Sequence, residues 1–407
     1  MRMLDRLDTD PVGLQTTAPI FEAEPKPVAF DRAHALERAY GITRRPATEI
    51  AAEMDGLCHA IGKMSDREYF WFRLFDAGLS PSEKLAFVGE RTTRSIWSVA
   101  NFSSLWFGPM MHKAAFCAFM RGYGLPAPVI LAQTGDSYPV AAAQRLADEQ
   151  QTKAFLAQPD VYPLFGKPLV GERSLGALGL DALSGDGREI RLLDGHLVSV
   201  AELARAIHDR YPEGYLFQRH REPDGAVKRL CGKRIATVRV YTISGALGPE
   251  VFRTVWKVPA GANMADNYWR PGNILCAIDL ETGRVRRAVS GGGFELEEIQ
   301  CHPDTGTPLI GLEVPQLAEI AKLALDAARV FSDLRIVGWD IAATANGPVV
   351  LEGNFAPDFG LCQLAEARGV LDQQLDRALQ ASLDAKRKLA DRVNAAVQET
   401  ELRLAGA

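Results

Sequence analysis

The sequence predicts a chain of mixed α and β structure in successive textures, on three observations. From about 31 to 126 the pattern is helical; from about 161 it changes to short β-type runs separated by Gly, Pro and Asp; and from about 371 to 404 an Ala/Leu/Arg/Glu-rich stretch reads as helix again. At 407 residues the chain exceeds one ordinary domain, so two or three packed subdomains are expected.

Residues 1–30, with Pro11, Pro19, Pro25 and Pro27, are turn-rich and patternless and are expected to form an N-terminal arm. Residues 31–130 are expected to form a mainly helical domain, with helices over 47–62 and 81–99. Ser80-Pro81-Ser82-Glu83 has the form of a helix start, with Pro in the first turn and an acid behind it. The run MHKAAFCAFMRGYGLPAPVIL predicts a helix closed by Gly122 or Gly124, a Pro-punctuated turn, and a strand around 128–132. YPLFGKPLV, YLFQRH, ATVRVYTI, EVFRTVWKV and NILCAIDL have strand composition, and the turn DLETG at 279–283 makes a hairpin with RVRRAV. A helix over 315–331 is strongly periodic, with apolar positions at Leu317, Ile320, Ala321, Leu323, Ala324, Ala327, Ala328 and Phe331. The strands RIVGWDIAAT and PVVLEGN follow, joined at Asn346-Gly347.

Composition is that of an ordinary soluble globular protein: 47% hydrophobic, 24% charged, with a formal net charge of −5 that gives no global attraction to nucleic acid or anionic membrane. The six cysteines are scattered singly without a C-x-x-C, as expected of reduced thiols in a cytoplasmic protein. The first residues, MRMLDRLDTDPVGLQ, carry acids where a secretory signal has its apolar stretch. The most apolar window, 96–123, is broken by Asn101, Pro109, His112, Lys113 and Arg121, so it is not expected to span a bilayer.

The sharpest feature is GWDIAATANGPVVLEGNFAPD, two strands joined by an Asn-Gly turn. Antiparallel pairing brings Asp340, Glu352 and Asn354 to one end of the ribbon, and the two-residue spacing of Glu352 and Asn354 puts both on one face. Three oxygen donors there make a hard-cation site that suits Mg²⁺, which completes its shell with water and phosphate.

These residues resemble the closing hairpin of ATP-grasp enzymes, where an acid on one strand and an E-x-N on the next hold the nucleotide's metals. Further motifs are similar to one branch, the sugar-transfer-associated ATP-grasp proteins (also termed alpha-L-glutamate ligase-related). They are a T-x-R strand at Thr237-Val238-Arg239, the pair Asp266-Asn267, I-D-x-x-T-G at 278–283, H-P-x-T-G at 302–306, and the W-D-I-A…E-G-N close. The resemblance covers roughly 108 to 365 and implies an α+β fold, two lobes clamping ATP, with a first lobe over 131–225, a second carrying the metal site over 226–370, and a C-terminal helix over 371–407.

The resemblance further implies that Lys113 and Lys167 reach the nucleotide and that the loop VGERSLGALGL, including Ser174 and Gly176, folds over the β- and γ-phosphates. Gln218 falls where the family links its two lobes beside adenine. Arg239 and Lys257 are expected to act on the transferring phosphoryl group, Lys257 standing where the family tends to hold arginine. The loop is sparser in glycine than the family's, and the helical N-terminal region replaces a Rossmann-like module. The implied cofactors are ATP and Mg²⁺, with Mn²⁺ as an alternative, and the substrates a small-molecule carboxylate and an amine. The implied reaction is carboxylate–amine (or carboxylate–thiol) ligation through an acyl phosphate; a phosphotransferase acting on a hydroxyl and a non-catalytic nucleotide-binding scaffold remain alternatives. Asp266, Asn267 and His302 have no assigned role, and the C-terminal helix offers a homodimer seam.

Overall fold

A computed structural model describes residues 20–21, 29–136, 139–140, 142–171 and 174–405, with side chains to residue 398. The expected N-terminal arm therefore lies largely outside the described residues. Its residue Phe21 is buried on the first sheet, its ring 5.0 Å from that of Tyr211.

Seven helices come first: α1 (Arg32–Thr43), α2 (Ala47–His59), α3 (Asp66–Trp71), α4 (Pro81–Leu85), α5 (Glu90–Ala100), α6 (Phe107–Met111) and α7 (Lys113–Gly122). Ser65 and Ser80 each cap a helix reciprocally with a glutamate three residues on, satisfying main-chain donors that a helix start leaves open. Ile50, Met54, Tyr69, Phe70, Phe75 and Phe87 form the core of this region.

The helix expected over 81–99 is two helices. Phe87 and Val88 turn inward and are buried, and the main-chain N–H and C=O of Val88 bond the side chain of Gln363. The chain leaves its helical path there to fasten the helical region to the second lobe. Tertiary bonding overrides a locally acceptable helix.

The first sheet comprises β1 (Ile130–Thr134), β2 (Gln144–Leu146), β3 (Leu164–Pro168), β4 (Leu178–Leu183), β5 (Glu189–Leu192), β6 (Leu197–Ser199) and β7 (Tyr215–Arg219), in the order β2-β1-β7-β3-β4-β5-β6. Helices α8 (Glu149–Leu156) and α9 (Val200–Arg210) cover one face, packing Phe155, Leu203 and Ile207 on Leu164, Leu180 and Phe217. The opposite face carries Phe165, Lys167, Leu216 and Gln218, which the β3–β7 register aligns.

After α10 (Gly225–Cys231) comes the second sheet: β8 (Thr237–Gly245), β9 (Gly248–Val258), β10 (Ile274–Asp279), β11 (Arg284–Ser290), β12 (Glu297–Glu298), β13 (Ile336–Thr344) and β14 (Gly347–Asn354), in the order β12-β11-β10-β9-β8-β13-β14. Helix α11 (Leu317–Val330) packs Ile320, Ala324 and Ala327 against one face, with Val238, Val240, Trp256 and Cys276 in the same cluster. The other face is covered by α5, α12 (Gly360–Glu366) and α13 (Gln373–Ala405) over Tyr241, Ile243, Val255 and Leu275. Arg239 and Lys257 lie on this second face, in the strip next to Val255 and Leu275. The two-sheet α+β architecture, the helical N-terminal region and the C-terminal helix match the fold expected from the sequence.

Candidate active site

Strand register assembles the polar centre. Arg239 on β8 pairs with Asp340 on β13, which pairs in turn with Glu352 on β14, so three charged side chains form one row across three neighbouring strands. Asn354 lies one row along, opposite Gly338, where an added Cβ would stand 3.1 Å from the Pro357 Cβ. Lys257 on β9 faces Thr237 on β8 in the row on the other side.

Within this centre Arg239 grips Asp340 with two donors, Nε at 2.8 Å and Nη2 at 2.6 Å, and Lys257 Nζ stands 3.1 Å from the same carboxylate. Asp266 accepts from the Thr237 N–H at 2.8 Å and from the Thr237 hydroxyl, and lies 3.7 Å from Lys257 Nζ. Burial alone would raise the Asp340 pKa; the adjacent Arg239 and Lys257 charges overcome it and hold that carboxyl well below the usual range. For Asp266 burial wins over the Lys257 charge and the pKa is raised.

Glu352 is the exposed member of the row, 39% accessible, with its nearest cation, Arg239, at 4.0 Å. Asn354 donates Nδ2 to the Gly338 carbonyl at 3.3 Å, which leaves its Oδ1 as the acceptor end of the amide. The donor set, two carboxylates and an amide oxygen, suits a hard cation, and Glu352 and Asn354 fit the role directly. Asp340 fits only by exchanging its guanidinium partner. Among the described residues there is no cluster of three or more His, Cys, Asp or Glu that could hold a metal ion, and this set has two acids with an amide oxygen.

The first sheet supplies a second group. Lys167 lies on β3 and its charge reaches Cys117 of α7, to whose sulfur Gln218 donates at 3.7 Å. Gln218 sits inside β7, aligned with Ile130 on one side and Phe165 on the other, one residue before the strand ends at Arg219. The chain leaves the sheet two residues later, at His220, which is buried with no partner for Nε2 and whose pKa burial lowers to about 4.

Lys113 begins α7 and donates Nζ to the Gly171 carbonyl at 2.8 Å, tying the helix to the loop after β3. Of that loop, residues 172–173 lie outside the description. Ser174 adopts a left-handed conformation (φ 54°), and Gly176 does so at φ 74° where a Cβ would stand 2.0 Å from the Tyr211 hydroxyl. The Ser174 carbonyl accepts from Arg270 Nη2 at 3.2 Å, which joins this loop to the segment carrying Asp266.

Sequence reasoning left Thr237, Arg270 and the H-P-D-T-G turn without site roles. His302 is fully buried, its Nε2 3.0 Å from the Pro259 carbonyl and its Nδ1 accepting from the Asp304 N–H. Burial lowers its pKa, and its bonds make it a brace for the 259–263 segment. Asp304 adds to that brace by accepting from the Gly261 N–H and from Arg234. The alternation in ATVRVYTI carried a signal for Thr237, since it shares a face with Arg239.

All six cysteines are unpaired, four of them buried. Among the described residues no helix is long and apolar enough to cross a membrane.

Residues 198–377 match the family model described as sugar-transfer associated ATP-grasp. No curated protein matches significantly. Similar solved structures include the D-alanine-D-alanine ligase from Coxiella burnetii (13% identity, TM-score 0.42, covering 72% of this chain and 62% of that one). The D-alanine–D-alanine ligase from Bacillus anthracis is 12% identical (TM-score 0.38, 73% and 76% covered). The L-amino acid ligase from Bacillus licheniformis is also 12% identical (TM-score 0.36, 67% of this chain and 48% of that one). The chain thus spans about three-fifths of the first of these and about half of the last.

Proposed function

Because residues 198–377 match the sugar-transfer associated ATP-grasp family, we propose that the protein is an ATP-dependent ligase that activates a small carboxylate as an acyl phosphate and passes the acyl group to an amine. The observation that carries this reading is the row Arg239–Asp340–Glu352 beside Lys257, which sets two cations and two carboxylates at one end of the sheet.

A carboxylate resists acyl transfer because its leaving group would be an oxide. Transfer of the γ-phosphoryl from ATP breaks the terminal P–O bond, forms a carboxyl–phosphate bond, and releases ADP. The amine nitrogen then attacks the acyl carbon, phosphate leaves with the electron pair, and a proton is lost from nitrogen. Arg239 and Lys257 are assigned to the charge on the moving phosphoryl group, Arg239 by its fork and Lys257 as a point charge. Lys113, Lys167 and the loop through Ser174 and Gly176 are assigned to the rest of the nucleotide, with Gln218 on the same face of the sheet as Lys167. Glu352, Asn354 and, after it releases Arg239, Asp340 would hold Mg²⁺, which when bound offsets phosphate charge. No protein nucleophile is needed.

A second reading, a non-catalytic nucleotide-binding scaffold, is favoured by the Asp340 carboxylate already being taken by Arg239 and Lys257. Hydroxylamine trapping separates the two, and separates both from phosphotransfer to a hydroxyl. With ATP, Mg²⁺ and a panel of carboxylic acids, the ligase gives a hydroxamate and ADP. ADP without hydroxamate under every acid would exclude carboxylate activation.

A further inference from the structure

Asp266 belongs to neither the cation-binding set nor the phosphate cations, yet it is firmly fixed. One oxygen accepts both the N–H and the hydroxyl of Thr237, and the other lies 3.7 Å from Lys257 Nζ. Its side chain is 13% exposed. The loop that carries it is braced from within. Asn273 accepts from the Ala260 N–H and donates to the carbonyls of Ala265 and Asn267, and Asn263 donates to Ala260 and Pro271. From outside, His302 and Asp304 hold Pro259 and Gly261.

Lysine, in contrast, is a point charge on a flexible four-carbon stem, and nothing in its own geometry aims it. Here the ammonium stands between Asp340 at 3.1 Å and Asp266 at 3.7 Å. A cation that takes Asp340 removes one of these partners, and a buried ammonium with none is costly. Asp266 stays in place, because its own position depends on Thr237 and the loop.

We propose that Asp266, set by Thr237 and the braced 259–273 loop, is the positioning residue that keeps the Lys257 ammonium aimed at the γ-phosphate when Asp340 changes partner. This rests on the ATP-grasp ligase reading for the identity of the anion, and on the contacts above for the role.

The test is equilibrium binding of Mg²⁺ with ADP or with a non-hydrolysable ATP analogue to wild type, Asp266→Asn, Lys257→Met and the double variant. Asparagine keeps an acceptor for Thr237 and removes the charge that holds Lys257. The analogue should bind about tenfold more weakly to Asp266→Asn with ADP affinity unchanged. Turnover should fall about 10²-fold, as expected for a misplaced reacting group. In the Lys257→Met background the second substitution should change neither quantity further. Tighter analogue binding, the result if Asp266 contributed only repulsion to phosphate, would overturn the proposal, as would additive losses in the double variant. Should Asp266→Asn fail to fold, Thr237→Val replaces it, with an unchanged analogue-to-ADP ratio counting against the role. A wild type that binds both nucleotides but makes no ADP defeats the ligase reading, while the affinity comparison still decides Asp266.

Discussion

Asp340 and Glu352 share a row of the sheet but differ in surroundings, so their neutralisation should have separable consequences. Asp340 is 3% exposed and takes two guanidinium donors and one ammonium, all within 3.1 Å. Breaking a buried ion pair from one side typically costs about 3–5 kcal/mol, because the partner is left charged and unpaired. In Asp340→Asn the Arg239 and Lys257 charges retain Glu352 at 4.0 Å and Asp266 at 3.7 Å, which argues for the low end, about 3 kcal/mol. For a chain of 407 residues, at about 1–2 °C per kcal/mol, melting should fall by about 3–6 °C. Glu352→Gln removes the charge of a 39% exposed carboxylate 4.0 Å from Arg239 and keeps a polar group beside Asp340, so stability should change by less than about 0.5 kcal/mol while turnover is lost. Circular dichroism melts at pH 7, run beside ADP release, read both effects. Equal destabilisation by the two substitutions, or none from Asp340→Asn, would refute the view that Asp340 is the charge hub of the sheet. The pH sign agrees: a carboxyl whose folded pKa is depressed contributes stability above the unfolded value near 4 and loses it as pH falls toward the folded value.

His220, with its pKa lowered to about 4 from an unfolded value near 6.5, binds its proton more readily in the unfolded chain, so stability should fall as pH drops from 6.5 toward 4. The contribution is about 3 kcal/mol, and His220→Gln should flatten that part of a denaturation-versus-pH curve. Gly176→Ala should strain a left-handed position and drive a methyl into the Tyr211 hydroxyl, lowering both melting temperature and nucleotide affinity measured by titration calorimetry.

Much of the site was legible because a sheet converts sequence spacing into geometry. The two-residue step between Glu352 and Asn354 and the Asn-Gly turn put the oxygen donors at one end of a ribbon, and the register Asp340↔Glu352 and Gly338↔Asn354 does so. The alternation in β8 likewise aligned Thr237, Arg239 and Tyr241. What was not legible depends on partners far apart in the chain. Nothing local to VWKVP or ADNYW says that Lys257 and Asp266 meet, since the contact is made by a loop whose path is set by Asn273, His302 and Asp304. The break at 86–89 has the same origin, as Val88 takes its partner from Gln363.

The most direct test of the central claim is Mg²⁺-dependent ADP release by the wild type and by Glu352→Ala, against a panel of carboxylic acids with an amine present. Release that needs both metal and acid, and that the substitution abolishes without lowering the melting temperature, is the result the ligase account predicts. Nucleotide binding by a wild type that forms no ADP with any acid would contradict it.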